Sequence, residues 1–361
     1  MAELDVNTII EKHTAFWNRD SVDQPLLNVS SIEGDTRYDL QGLSITLADG
    51  SELFEQDEPL TPDQLDPSTI LHEGEFPLRT RPASDNGPLI VDDLMVPRAP
   101  LGKMAWVEAI LGCPIVPKLD TGSIYSAPYL RSPGELDKIP SLNDNAWYDL
   151  LLEFTRQLAE DAAGSYQVVQ CLQRGPIDLM SALLGHSRMC YAIYDEPEQM
   201  KALTEKVTEI FIEVAKGQEA LIPKLNGGIC TPFAVWAPGT VVRTQCDVTS
   251  SVSAKMYEEV FFPFDVEICK NFDYSIVHLH SGYLHTVEVL LKQEYPTAVQ
   301  VSLDTGSTPF TVHDLIPVFA RVLEEKPLFI QGKMTQPELD ELLEVLPPRG
   351  LYISTSTMNE E

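Results

Sequence analysis

The second half of the chain repeats one pattern, and that pattern narrows the possible folds more than any other feature. Apolar runs rich in β-branched residues and bounded by turn residues recur at 240–246 (TVVRTQC), 274–279 (YSIVHL), 297–303 (TAVQVSL), 327–331 (PLFIQ) and 350–354 (GLYIS). Helical patterns lie between them at 253–272, 284–294, 311–324 and 335–346. Upstream, a helix over 145–163 precedes the strand-like Tyr166-Gln-Val-Val-Gln170, and a helix over 176–193 opens on Gly175-Pro176 with Asp178 in its first turn. Another long helix follows Pro197. Strands that are apolar throughout, alternating with helices, predict an α/β fold with a parallel sheet covered by helices. A closed TIM (β/α)8 barrel and an open doubly wound sheet share this rhythm. Polar residues gather directly after the strands, where barrel enzymes carry their chemistry, and this favours the barrel. No G-x-G-x-x-G or Walker lysine loop follows any strand, so a nucleotide-binding fold has no support.

The first part of the chain reads differently. Residues 5–19 form an amphipathic helix pattern, Leu43-Ser-Ile-Thr-Leu47 a short strand or hairpin, and EQDEPLTPDQLDPSTI a loop with helix caps. We expect residues 1–88 to be an amino-terminal elaboration packed on a barrel formed by 89–361. At 43% hydrophobic and 8% aromatic residues, the chain has enough apolar material for a large core. Its 55 acidic and 25 basic side chains leave a formal charge of −30, which repels polyanions and argues against nucleic-acid or anionic-membrane partners. Six cysteines without a C-x-x-C pair exclude a zinc knuckle and argue against a disulfide scaffold. An acidic, amphipathic start and the lack of a long apolar run lead us to expect a cytoplasmic protein.

The candidate chemistry lies at the strand ends. His278 and His280 stand two apart and share one face of a strand, which suits a divalent metal such as zinc, a general base, or a plain hydrogen-bonded pair. Asp247 follows a strand and precedes a Ser/Thr run, so acid–base work and capping of the next helix are both open. Asp304 is a further strand-end carboxylate. Its Asp-Thr-Gly tripeptide, repeated at Asp120–Gly122, lacks the all-β surroundings of an aspartic protease. Asp93, beside Asp92 after an apolar run, is the fourth acid–base candidate with Asp247, His280 and Asp304. Arg243, Gln245, Ser281, Gln331 and Lys333 are candidate substrate-binding groups. We read Trp106 as core and Glu108 as a surface carboxylate.

Four stretches resemble the uroporphyrinogen decarboxylase superfamily, which includes corrinoid methyltransferases and cobalamin-independent methionine synthase. They are Trp106–Ile115 (WVEAILGCPI), Arg174–Gly185 (RGPIDLMSALLG), Gln245–Pro263 (QCDVTSSVSAKMYEEVFFP) and His278–Gly282 (HLHSG), in the family's order. The resemblance covers roughly residues 90–355 and implies a TIM barrel, a small-molecule substrate and a homodimer. Its methyl-transferring branch adds zinc and a corrinoid protein partner. Val91–Val96 resembles the segment bearing the decarboxylase's central aspartate, which points to Asp93 and to cofactor-free decarboxylation as the alternative. A third possibility is a non-catalytic barrel that binds a ligand or a corrinoid protein. The decarboxylase's arginine-rich amino-terminal segment is missing. The methyltransferases' His-x-Cys pair is His278-Leu-His280 here, and their distant cysteine is replaced by the run Ser354-Thr-Ser356.

Overall fold

The computed structural model describes residues 5–30, 45–53, 58–72, 90–91, 93–102, 104–118, 123–304 and 310–358. Asp92, Leu43, the Asp120–Gly122 tripeptide and the Thr305-Gly306 end of the other lie outside the described residues. The chain divides by contacts into two units, one made of Met1–Asp35, Pro88–Val96 and Leu225–Glu361, the other of Thr36–Gly87 and Pro97–Lys224.

The first unit holds a parallel sheet whose strands we number β1 (Leu26–Ser30), β2 (Val241–Gln245), β3 (Tyr274–His280), β4 (Ala298–Ser302), β5 (Leu328–Gln331) and β6 (Leu351–Met358). Their order across the sheet is β1-β6-β5-β4-β3-β2, with Met334–Thr335 adding to β6. Each expected strand from 240 onward is present within a few residues. Among the described residues the ladder does not close on itself, so the α/β class and the parallel sheet stand as found. β1 was not anticipated. It joins the carboxyl-terminal strand in parallel register, Leu26 opposite Tyr352 and Asn28 opposite Ser354.

Helix α1 (Val6–Asn18) covers the amino end of this sheet. It presents Phe16 and Trp17 to Phe329, with ring centroids at 4.9 and 5.8 Å, while Trp17 also meets Tyr274 at 4.8 Å. The Trp17 indole N–H donates to the Trp236 carbonyl at 2.9 Å, so its one polar atom is satisfied inside the apolar contact. His13, on the same helix, is fully buried. Its Nδ1 accepts from the Trp236 N–H at 2.9 Å and its Nε2 donates to the Asp93 carbonyl at 2.7 Å.

Those bonds fix a neutral imidazole, and burial pulls its pKa down from 6.5 to about 4. The unfolded chain takes up this proton near pH 6.5, whereas the folded chain refuses it until about pH 4. The contribution is therefore complete above pH 6.5 and is lost as the pH falls toward 4. We expect His13→Gln to shrink the stability difference between pH 7 and pH 4.5 by roughly 2–3 kcal/mol in urea unfolding. An unchanged difference would contradict this account.

In the second unit, helices α2 (Ala146–Ala162), α3 (Pro176–Leu184), α4 (His186–Asp195) and α5 (Pro197–Glu219) form the main helical layer. The single helix expected over 176–193 is broken between α3 and α4. There Gly185 takes φ +82°, a left-handed conformation that ends α3 at little steric cost. A short parallel pair joins Pro97–Arg98 to Gln167–Val168. Trp106 is buried, as expected. Glu108 is not on the surface: it is 1% exposed, with Oε1 3.1 Å from Arg174 Nη1. The ion pair with Arg174 offsets the cost of burying the Glu108 carboxylate.

Candidate functional site

Residues aligned across a parallel ladder project to the same face, so the register turns single strand positions into rows. One row runs through Gln245, His278, Gln300, Phe329, Tyr352 and Leu26. The next row toward the carboxyl ends is His280, Ser302, Gln331, Ser354 and Asn28. The face changes from aromatic to polar as the strands end. His278 and His280 share it because they stand two apart, with ring centroids at 4.8 Å and an interplanar angle of 87°.

Asp247 begins the short 3-10 turn Asp247–Ser251 directly after β2. The following helix, α6 (Ala254–Val260), is capped by Ser253, whose side chain accepts from Met256 N. Asp247 is thus not that cap, and its carboxylate turns to the histidines. Asp247 Oδ1 is 3.7 Å from His278 Nε2 and 3.6 Å from His280 Nε2. Its other oxygen accepts from the Gln245 amide. His280 Nδ1 lies 2.8 Å from Asp304 Oδ1, and His278 Nδ1 meets Gln300 Oε1. The backbone N–H of Asp304 donates to Ser281 Oγ at 3.0 Å. One donor atom from each of Asp247, His278 and His280 falls within 4.8 Å of the others.

These bonds decide the tautomers. A carboxylate has no proton to give, so His280 donates through Nδ1–H to Asp304, and in the neutral ring the lone pair is then on Nε2. His278 is held neutral, its pKa well below the ordinary value, first by burial and then by the nearby Arg243 and His280 charges. Its Nδ1–H points to the Gln300 carbonyl oxygen, leaving Nε2 as an acceptor. In the neutral rings, two imidazole lone pairs and a carboxylate oxygen therefore face one another. Such a group is suited to a cation.

A tetrahedral ion with bonds of about 2.0–2.2 Å sets its donors roughly 3.3–3.5 Å apart, close to the 3.6 and 3.7 Å found. Two histidines and one carboxylate fit a divalent ion with positions left for substrate. They do not supply the thiolates of a thiol-activating zinc site. Cys246 is fully buried, its Sγ directed to the His278 carbonyl at 3.6 Å and so turned from the group.

The remaining candidates are distributed as follows. Arg243 is 5% exposed, two residues below Gln245 on the same face, with its guanidinium 5.8 Å from the Phe233 ring. Ser281 is buried and serves Asp304. Gln331 lies in the polar row, and its carbonyl accepts from Leu303 N at 2.7 Å. Gly332 makes room for that approach: at φ +147° a Cβ there would meet the Leu303 carbonyl at 2.9 Å. Lys333 is exposed. Asp93 is not brought to the histidines. It pairs with Lys12 at 2.5 Å, accepts from Leu27 N at 3.3 Å and lines a cavity of about 380 Å³ beside Leu26 and Leu351, the first residues of β1 and β6. His285 is exposed and bonded to the Val252 carbonyl.

Asn28 and Gln300 were not singled out from the sequence. Asn28 Nδ2 donates to Ser354 Oγ at 3.0 Å in the polar row. Gln300 carries the one clue available in advance, an amide in the middle of the apolar run Ala298–Ser302.

The sequence profile described as Uroporphyrinogen decarboxylase (URO-D) matches residues 102–220. The matched segment, about a third of the chain, is similar to the uroporphyrinogen decarboxylase family. Among solved structures, a methyltransferase from Methanosarcina mazei is similar over 98% of this chain and 94% of its own, with 13% identity and a TM-score of 0.59. At that identity the likeness is one of fold. No curated protein matches the chain. The matched segment lies in the second unit, whereas Asp247, His278 and His280 lie in the first.

Proposed function

We propose that this chain is a TIM-barrel enzyme of the superfamily that acts on a small-molecule substrate with the help of a divalent metal, in the manner of the methyl-transferring branch. The observation that carries the reading is the convergence of three acceptor atoms, Asp247 Oδ1, His278 Nε2 and His280 Nε2, with their other atoms already engaged. Asp247, His278 and His280 would hold the ion. Bound there, a divalent metal would act as a Lewis acid toward the reacting atom of the substrate. Asp247 offsets one unit of its charge. Asn28, Ser354, Gln331 and Ser302, along the same row as His280, offer uncharged hydrogen-bonding groups to the rest of the substrate.

Methyl transfer is supported by the fold shared with a methyltransferase and by the position of the His-x-His pair; a corrinoid protein is the partner this reading calls for. The acidic surface and the absence of any described helix long and apolar enough to cross a membrane fit a cytoplasmic setting. Protein purified without chelators should contain close to one equivalent of zinc or another divalent ion by elemental analysis. Incubated with methylcobalamin and candidate acceptors, it should consume the methyl-corrinoid absorbance, and chelation should stop this. A protein that cannot be loaded with metal yet decarboxylates a carboxylated substrate would replace this reading with the decarboxylase one.

A further inference from the structure

The two imidazoles are not held alike. His280 has a carboxylate behind it, Asp304, which is fixed in turn by Ser281 Oγ at 3.0 Å from the Asp304 N–H. His278 has a neutral amide behind it. That amide lies with Gln300 Nε2 3.3 Å from Ser302 Oγ and with Oε1 facing His278 Nδ1. Gln300 is fully buried. An amide in the middle of a central apolar strand weakens the core unless something uses it. Its oxygen faces His278 Nδ1, where it favours the Nδ1–H tautomer of His278 and leaves Nε2 toward Asp247.

We propose that Gln300 and Asp304 are positioning residues that hold His278 and His280, respectively, in the metal-binding tautomer, with Ser302 and Ser281 fixing each in place. This rests on the metal reading above and goes beyond it by assigning Asp304 to orientation in place of acid–base work. Hydrogen-bond partners behind metal-bound histidines are typically worth 10–100-fold in affinity. The carboxylate behind His280 also strengthens that nitrogen as a donor, so the two arms contribute unequally.

The test uses the full chain and Co²⁺ alone, followed by calorimetry and by the visible d–d bands of the bound ion. Gln300→Met, which keeps the volume and removes the acceptor, should weaken Co²⁺ binding by roughly 10–100-fold and alter the bands. Gln300→Glu, which restores an acceptor oxygen at the same place, should recover most of the loss. Asp304→Asn should weaken binding by a similar or larger factor. Thermal unfolding of the apo variants separates misfolding from lost orientation. If wild type binds Co²⁺ and His278→Ala does not, but Gln300→Met and Asp304→Asn both stay within about twofold of wild type, the positioning assignment is overturned while the metal reading stands. If wild type itself takes up no Co²⁺, the metal reading fails first, and this inference with it.

Discussion

A His278→Ala, His280→Ala double variant should come off the column with less than a tenth of the metal carried by wild type, and its affinity for added Zn²⁺ should fall by at least about a thousandfold. The size follows from what remains. Removing both imidazoles leaves Asp247 as a single carboxylate, still tethered to Gln245, and one partly exposed carboxylate holds a divalent ion only weakly in water. The fold should survive. His280 sits at the last position of β3, half-buried, and its loss opens space at the end of a strand and not in the middle of the core. His278 is more enclosed, so the single variants should be compared with the double one by circular dichroism before affinity is read. Metal retained at wild-type stoichiometry in a folded double variant would remove the proposed site altogether.

The second large effect concerns the aromatic part of the same sheet. Phe329→Ala should cost about 3–5 kcal/mol of stability, the range for deleting a fully buried aromatic ring. Phe329 has no exposed surface, and four rings surround it: Phe16 at 4.9 Å, Phe233 and Tyr352 each at 5.5 Å, and Trp17 at 5.8 Å. It is the point at which α1 grips the sheet, so its truncation leaves a cavity and loosens the helix that covers the amino ends. The control is Tyr194→Ala, which removes a ring that is 73% exposed and should change stability by no more than about 0.5 kcal/mol. Urea midpoints for the two variants measure the contrast. A Phe329→Ala loss no greater than that of the control would show that the cluster is not cohesive.

Most of the second half of the fold could be read in advance because its strands are short, apolar and separated by helices with plain boundaries. The bounds of β2 through β5 lie within a residue or two of the runs seen in the sequence. β1 escaped notice for a physical reason. Leu26-Leu-Asn-Val-Ser30 is five residues with one amide in it, and what makes it a strand is its pairing with β6, more than 300 residues away in the chain. The site divides in the same way. His278, His280 and Asp247 were visible because residues two apart on a strand, or just past its end, advertise their face. Gln300 and Asn28 declare themselves only through register with neighbouring strands. Asp93 looked chemical for its adjacent carboxylates, yet its partners Lys12 and Leu27 belong to α1 and β1, and its carbonyl serves the buried His13. His13 itself reads as one more polar residue on an amphipathic helix, and its burial cannot be seen until Trp236 is brought beside it.

The pairing of β1 with β6 ties the order of synthesis to the order of folding. β1 has no partner in the sheet until β6, more than 300 residues later in the chain, has left the ribosome, so this edge is completed only then. Until then a nascent chain carries an unsatisfied edge and an amide, Asn28, whose hydroxyl partner has not yet been made.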